Sequence, residues 1–301
     1  MGNTIFKKDA TAQGVAKQRY IESLAEPDRR VIYDPYAEHF VFGSGLIKLL
    51  GHKLSVWLTR KFARGFHEHL IARTRFIDDV VNQSAAENIE QYVILGAGYD
   101  SRAYRLGLPS KIKVFEVDQA DVQLQKRAKL PKHLQSANYV KYVSVDFDSQ
   151  LLSECLLNAG FEPNKPTLFT LEGVSQYISK PALSATLNEL KILTGDSRTV
   201  FCFSYVDEQL LDNPSECFGV GYPNAAKRAD NIMKLSAKFG EPWQSLYSAQ
   251  EIESLLNESD FQLKQHTSLD DLNTIYFMPK GREVPQSEIM KLEHFVVATS
   301  P

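Results

Sequence analysis

The stretch Tyr92–Arg105, YVILGAGYDSRAYR, constrains the fold more than any other part of this chain. Four apolar or aromatic residues, Tyr92, Val93, Ile94 and Leu95, run straight into Gly96-Ala97-Gly98. Such a run reads as a buried strand that delivers a glycine turn, with a helix start behind it. A second apolar run, Ile112–Val117, ends in Asp118. A glycine turn after one strand and a carboxylate at the end of the next is an arrangement that holds a nucleoside.

The rest of the chain repeats the alternation. Strand-like runs recur at Tyr139–Val145, Thr167–Leu171 and Thr199–Tyr205, separated by the helix-competent segments Gln119–Lys129, Ser149–Asn158 and Lys180–Leu193. Further strands are expected at Phe261–His266 and Glu293–Thr299. Strands alternating with helices predict an α/β fold, Rossmann-like and doubly wound. Its sheet should be mainly parallel, with seven strands and the last one antiparallel. A single domain, 1–301, is expected, with an N-terminal helical cap (1–65) and an inserted helical lid (207–243), where the strand rhythm breaks. Within the cap, GLIKLLGHKLSVWLTRKF (45–62) has helical spacing, with Leu46, Leu49, Leu50, Leu54, Trp57 and Leu58 largely on one side. That side is expected to pack on the domain; a helix lying on a membrane surface is the alternative.

The bulk properties exclude several classes. The 301 residues carry a net charge of −3, which gives no general attraction to nucleic acid or to an anionic membrane. A local basic patch stays open. The three cysteines, Cys155, Cys202 and Cys217, fit no zinc or CxxC spacing, and no metal site is expected. MGNTIFKKDA has no signal-peptide apolar region, and no apolar run reaches the roughly 18 residues of a membrane span. A cytoplasmic location with free thiols is the expectation.

Five constellations carry chemistry. A dinucleotide turn wants G-x-G-x-x-G, but the third glycine position here is Ser101, and Asp100 would repel a pyrophosphate. A cofactor with a cationic amino-acid tail suits Gly96, Gly98 and Asp100 better. Asp118 could accept both hydroxyls of a ribose, or cap the helix that follows. Asp146-Phe147, at the end of the third strand, could take an adenine by its exocyclic amine and a ring wall, or form a turn beside a core Phe. Glu172-Gly173 ends the fourth strand, where an open α/β sheet forms its ligand crevice; a cap is the plainer role. Arg73 and Arg75 sit on the helix entering the first strand. Arginine pairs bidentately with carboxylates, although a solvated face would explain either one alone.

Together these residues resemble the leucine carboxyl methyltransferase family of S-adenosylmethionine-dependent enzymes. DPYAEHF (34–40), ARTRFIDD (72–79), VILGAGYDSRAYRL (93–106), FEVD (115–118), VDF (145–147), LEGVSQY (171–177) and GEPW (240–243) follow the family's segments in order. The resemblance implies S-adenosylmethionine as cofactor. Arg73 would pair with its methionine carboxylate, Gly96 would contact that moiety through its backbone, and Asp118 would hold the ribose. Asp146 and Phe147 would take the adenine, and Glu172 would face the amino group. Two departures stand out: Phe147 where leucine is common, and LEGVSQY where many relatives read EGLLMY.

The acceptor is less constrained. A carboxylate is already ionised at neutral pH and needs no general base, whereas a phenol or alcohol does. The seven histidines are scattered and none lies in a motif that marks a base. The expectation is therefore a methyl ester formed on a carboxylate of a small molecule or peptide, with Tyr177 and Tyr205 orienting the acceptor. Hydroxyl methylation is the nearest alternative. A nicotinamide-dependent oxidoreductase and a non-catalytic nucleoside-binding protein are the more distant ones.

Overall fold

The computed structural model describes residues 10–135, 138–145, 150–238 and 240–300. In chain order its main elements are α1 (Ala10–Ser23), α2 (Ser44–Phe62), α3 (Phe66–Ala86), β1 (Gln91–Leu95), β2 (Lys113–Asp118), α4 (Ala120–Lys129) and β3 (Val140–Ser144). There follow α5 (Leu152–Asn158), β4 (Thr167–Leu171), α6 (Lys180–Thr194), β5 (Thr199–Val206), α7 (Ala225–Lys238), α8 (Ala249–Glu258), β6 (Gln262–Thr267) and β7 (Glu293–Ser300). The seven strands form one sheet in the order β3-β2-β1-β4-β5-β7-β6. β1 pairs in parallel with β2 and β4, β2 with β3, and β4 with β5, while the sheet has one antiparallel edge. The expected Rossmann-like α/β architecture is thus present.

The strand sequences follow from burial on both faces. β1, β4 and β5 are buried along their whole length, which is why QYVIL, TLFTL and TVFCFSYV read as near-continuous apolar runs. α6 shows the helical counterpart. Its N-cap Ser179 accepts from the Ala182 amide, and Leu183, Leu187, Leu190 and Leu193 are buried at helical spacing. Gly195, at φ 55°, follows its last residue and ends it. These leucines join Val93, Leu95, Phe115, Phe169 and Phe201 in one core cluster.

The chain divides into two compact units, each discontinuous in sequence. The first comprises 1–76, 206–243 and 267–294; the second comprises 77–205, 244–266 and 295–301. The expected cap and the 207–243 insertion both fall in the first unit. Between 207 and 243 the described residues are helical and irregular, apart from the bridge residues Asp207 and Phe218, the latter antiparallel to Met290.

Helix α2 departs from expectation. Leu46, Leu49, Leu54 and Trp57, the side expected to pack, are exposed, while Ile47, Ser55 and Val56 are buried. Gly51, at φ 68° and ψ 179°, breaks the helical phase. A single wheel drawn through 45–62 therefore places the two halves on a face they do not share.

Candidate active site

The order of the sheet reverses between β1 and β4: β2 and β3 lie to one side of β1, and β4 and β5 to the other. In open α/β sheets ligands bind at the carboxyl ends of strands beside such a switch point. The glycine turn leaves the end of β1, and Glu172 leaves the end of β4. Both belong to the second unit.

The turn is built by its glycines. Gly96 has φ 66° and Gly98 φ 42°, backbone that L side chains adopt at a cost. The Ala97 amide donates to the Val117 carbonyl at 3.0 Å, and the Asp100 amide to the Ala97 carbonyl at 2.7 Å. A Cβ on Gly96 would lie 2.6 Å from Val174 Cγ2. The turn therefore sits directly on the LEGVSQY segment, and two motifs far apart in sequence form one wall.

Asp118 closes that wall from β2. Its Oδ2 accepts from the Gly98 amide at 2.6 Å and its Oδ1 from the Gln119 amide at 2.7 Å. Burial raises its pKa above the ordinary aspartate value, with the two amide bonds working against that rise. Cap and ribose holder were the two roles open from sequence. Asp118 does not cap α4: the N-cap is Gln119, which has no side-chain cap bond, and the Asp118 carboxylate instead ties the Gln119 amide to the glycine turn.

Glu172 does not stand alone. Arg102, from the single helical turn Arg102–Arg105, is 2% exposed. Its Nε donates to Asp78 Oδ1 at 2.7 Å, and its Nη1 donates to Asp100 Oδ2 and to Glu172 Oε2, both at 2.6 Å. Arg105 adds a bidentate pair to Asp78, with both bonds at 2.7 Å. Burial opposes the Arg102 charge, yet Asp100, Glu172 and Asp78 outweigh it and hold the guanidinium pKa well above its usual value. Among the described contacts, three carboxylates, Asp78, Asp100 and Glu172, thus meet two guanidiniums beside the turn. Gly173, with φ 63°, then donates its amide to Ser204 Oγ at 2.9 Å, and Ser175 Oγ donates to the Ser204 carbonyl at 2.7 Å.

The other expected residues lie as follows. Asp146 and Phe147 are outside the described residues. Tyr177 is half-buried at the end of a 3-10 turn, and its carbonyl accepts from Gln244 Nε2 at 2.7 Å. Tyr205 is fully buried in the core, its hydroxyl 2.8 Å from His266 Nε2 and its ring stacked on that imidazole. Arg73 belongs to the first unit, where its Nη1 lies 2.9 Å from both oxygens of Glu293; His69 Nε2 reaches the same carboxylate at 2.7 Å.

Sequence reasoning passed over Arg102, Arg105 and Asp78, although all three stand inside the quoted segments ARTRFIDD and VILGAGYDSRAYRL. It also passed over a second buried pair, Lys126 Nζ on Glu116 Oε2 at 2.7 Å. Glu116 shares a strand face with Asp118, and Gln123 of α4 bonds the carbonyls of Glu116 and Val143. The available signal was a charged residue inside an otherwise apolar strand.

Among the described residues, one group has metal-like spacing: Glu22, His52 and His67 in the first unit. Its carboxylate is already saturated. Glu22 accepts two bonds from Arg282, at 2.6 and 2.9 Å, and one from the Val31 amide at 2.6 Å. Gln18 Oε1 stands 3.0 Å from His67 Nδ1. Burial opposes the Glu22 charge, but His52, His67 and Arg282 outweigh it and hold the carboxyl well below its usual range. The cluster reads as an ionic clamp between α1, α2 and α3.

The fold and this wall define a Rossmann-like protein with a crevice of the nucleoside-binding kind. A protein of Streptomyces avermitilis from a family of unassigned function shares the fold at TM-score 0.58 and 14% identity, covering 95% of this chain and 97% of its own. The mycolic acid cyclopropane synthase CmaA1, solved with S-adenosylhomocysteine, does so at TM-score 0.51 and 9% identity, over 95% and 98%. The sequence profile of the leucine carboxyl methyltransferase family matches residues 12–191. YktD of Bacillus subtilis, named provisionally as an S-adenosyl-L-methionine-dependent methyltransferase, is 30% identical over 230 residues, 75% of this chain and 71% of its own. A Rhodococcus jostii protein of the same provisional designation is 35% identical over 185 residues, 61% of each chain. The chain belongs to the leucine carboxyl methyltransferase family, and is thereby an S-adenosylmethionine-dependent methyltransferase. The residues present fit that cofactor: a turn without a Cβ that leaves its backbone open to approach, and beside it carboxylates that suit a cationic amino group.

Proposed function

We propose that this enzyme methylates a carboxylate oxygen of a small molecule or peptide, forming a methyl ester. The observation that carries the reading is the membership of a family named for carboxyl methylation, together with a site whose assembled side chains are carboxylates and guanidiniums. A carboxylate acceptor, with a pKa of roughly 4, arrives ionised and needs no base. Of the two histidines in the second unit, His266 is engaged by Tyr205.

When bound, S-adenosylmethionine supplies an electrophilic methyl on a sulfonium sulfur. The protein's part is positional. Gly96 and Gly98 present backbone to the methionine moiety, Asp118 holds the ribose, and Asp146 with Phe147 takes the adenine. Glu172, oriented by Arg102, would face the amino group, whereas Arg73, the guanidinium expected for the carboxylate, is held by both oxygens of Glu293. Tyr177 orients the acceptor. Tyr205 carries less of that role, because its hydroxyl is committed to His266. Holding the acceptor oxygen roughly 3 Å from the methyl and excluding water lowers the barrier without proton transfer.

The test is chemical. Cell extract incubated with the enzyme and methyl-labelled cofactor should yield label that mild base releases as methanol. Label retained through base treatment indicates an ether or amine and refutes the ester reading.

A further inference from the structure

Residues 39–67 contain no Asp or Glu, yet carry Lys48, Lys53, Arg60, Lys61 and Arg64, in a chain whose net charge is −3. The same segment holds a concentration of exposed apolar side chains. Phe42 is 95% exposed, Leu49 83% and Phe62 84%, and Leu46, Leu54 and Trp57 are exposed with them. Apolar residues scattered singly over a surface need no explanation, but six large ones exposed within residues 42–62, on both sides of the Gly51 break, mark a contact surface. The buried side of α2 is already in use by Ile47, Ser55 and Val56, so the outward set is not a core face awaiting its partner within the fold.

Charge and apolar groups interleave. Phe42 stands just ahead of the helix, and before the Gly51 break Leu46 and Leu49 follow at helical spacing. After it, Lys53, Leu54, Trp57 and Lys61 do the same, and Lys61 Nζ stands 5.0 Å from the Trp57 ring centroid. Lys48, Lys53, Lys61 and Arg64 are all exposed; Arg60 is not counted because Glu68 and Glu288 hold it. Beside the break lies a cavity of about 420 Å³ whose charged lining is Arg29, Lys53 and Arg282 against the single acid Glu26. Arg282 is compensated by Glu22, which leaves Arg29 and Lys53 as the cations that an anionic group would meet.

We infer that the 42–64 segment is a peripheral docking surface for an anionic phospholipid bilayer, with its exposed apolar side chains in the interface and Lys48, Lys53, Lys61 and Arg64 against headgroup phosphates. A Lys/Arg-rich helix that carries Trp, Phe and Leu on its water-facing side has the composition of an interfacial segment. No described helix is long and apolar enough to cross a membrane, so the contact is with the surface. A second copy of this chain fits less well, since a two-fold contact would set these like charges against each other. A polyanion such as nucleic acid would leave the apolar set unused.

The experiment is co-sedimentation of the full chain with vesicles of phosphatidylcholine alone and of phosphatidylcholine mixed equally with phosphatidylglycerol. Binding to the mixed vesicles only, reversed by high salt, is expected. Each cation near such a surface is worth about fivefold in partitioning, so Lys48→Gln/Lys53→Gln/Lys61→Gln should weaken binding on the order of 100-fold. Leu49→Ser/Trp57→Ser should also release the protein. Both variants should keep the wild-type melting temperature and S-adenosylhomocysteine affinity. Equal binding to neutral vesicles, no binding to either, or wild-type binding by the Leu49/Trp57 variant would overturn the inference. A dimer that the Leu49/Trp57 variant dissociates would assign the surface to a second copy instead.

Discussion

Replacing Gly96 with alanine tests how the cofactor wall is assembled. Two costs are expected. At φ 66° an L residue loses about 1–2 kcal/mol relative to glycine. The new Cβ would also stand 2.6 Å from Val174 Cγ2, a branched side chain with little freedom to withdraw, and such overpacking costs about 1–3 kcal/mol. Gly96→Ala should therefore destabilise the protein by roughly 2–5 kcal/mol, read as a fall in urea midpoint at constant m-value. Val174→Ala alone should cost about 1 kcal/mol, since Val174 is half-buried. In the double variant the steric cost disappears and the backbone strain remains. The cycle should show a favourable coupling of about 1–3 kcal/mol, and titration with S-adenosylhomocysteine should recover in parallel. Strict additivity, within about 0.5 kcal/mol, would mean that Val174 is not what confronts the turn, and the account of two motifs forming one wall would fail.

Other outcomes follow from the same geometry. Arg102→Met should destabilise by about 3–5 kcal/mol at neutral pH, because it strands Asp100 and Glu172 without their buried guanidinium; a loss under 1 kcal/mol in urea unfolding would show the network to be solvated. Asp118→Ala should weaken S-adenosylhomocysteine binding by about tenfold or more, as hydrogen bonds to a charged acceptor are lost; unchanged calorimetric affinity would leave Asp118 as a brace of the glycine turn only. Glu22, whose folded pKa is depressed, contributes stability that is present above its ordinary value of 4.5 and lost as pH falls through the folded pKa. Urea midpoints measured downward from neutral pH should fall below pH 4.5, and Glu22→Gln should flatten that fall while lowering stability at pH 7; an identical slope would refute the assignment. Burial pushes the Cys202 and Cys217 thiols up to about 12, so a thiol reagent near pH 8 should label Cys155 alone until the protein is unfolded.

Much of the donor site is legible in the chain because it sits where strands end. β1, β2 and β4 are buried on both faces, so their apolar runs mark their own limits, and Gly96, Asp118 and Glu172 follow those limits directly. The helix α2 shows the opposite case. Its apolar spacing was plain, but spacing states only that residues share a side. Gly51 shifts the phase, and burial on Ile47, Ser55 and Val56 sends Leu49 and Trp57 outward. Charge partners were equally hidden. ARTRFIDD and SRAYR advertise arginines and aspartates, yet nothing local says that Arg102 bonds Asp78, Asp100 and Glu172 at once.

The sequence by itself determined the alternation of strand and helix, the glycine turn and the family, because these depend on short-range periodicity and on motifs a few residues long. The tertiary structure decided what each charge is for. It set Glu172 against Arg102, laid Gly96 on Val174 and fixed Asp118 to the Gly98 amide. Such pairings join residues 20 to 78 positions apart, and only the folded backbone brings their atoms within a hydrogen bond or a methyl contact.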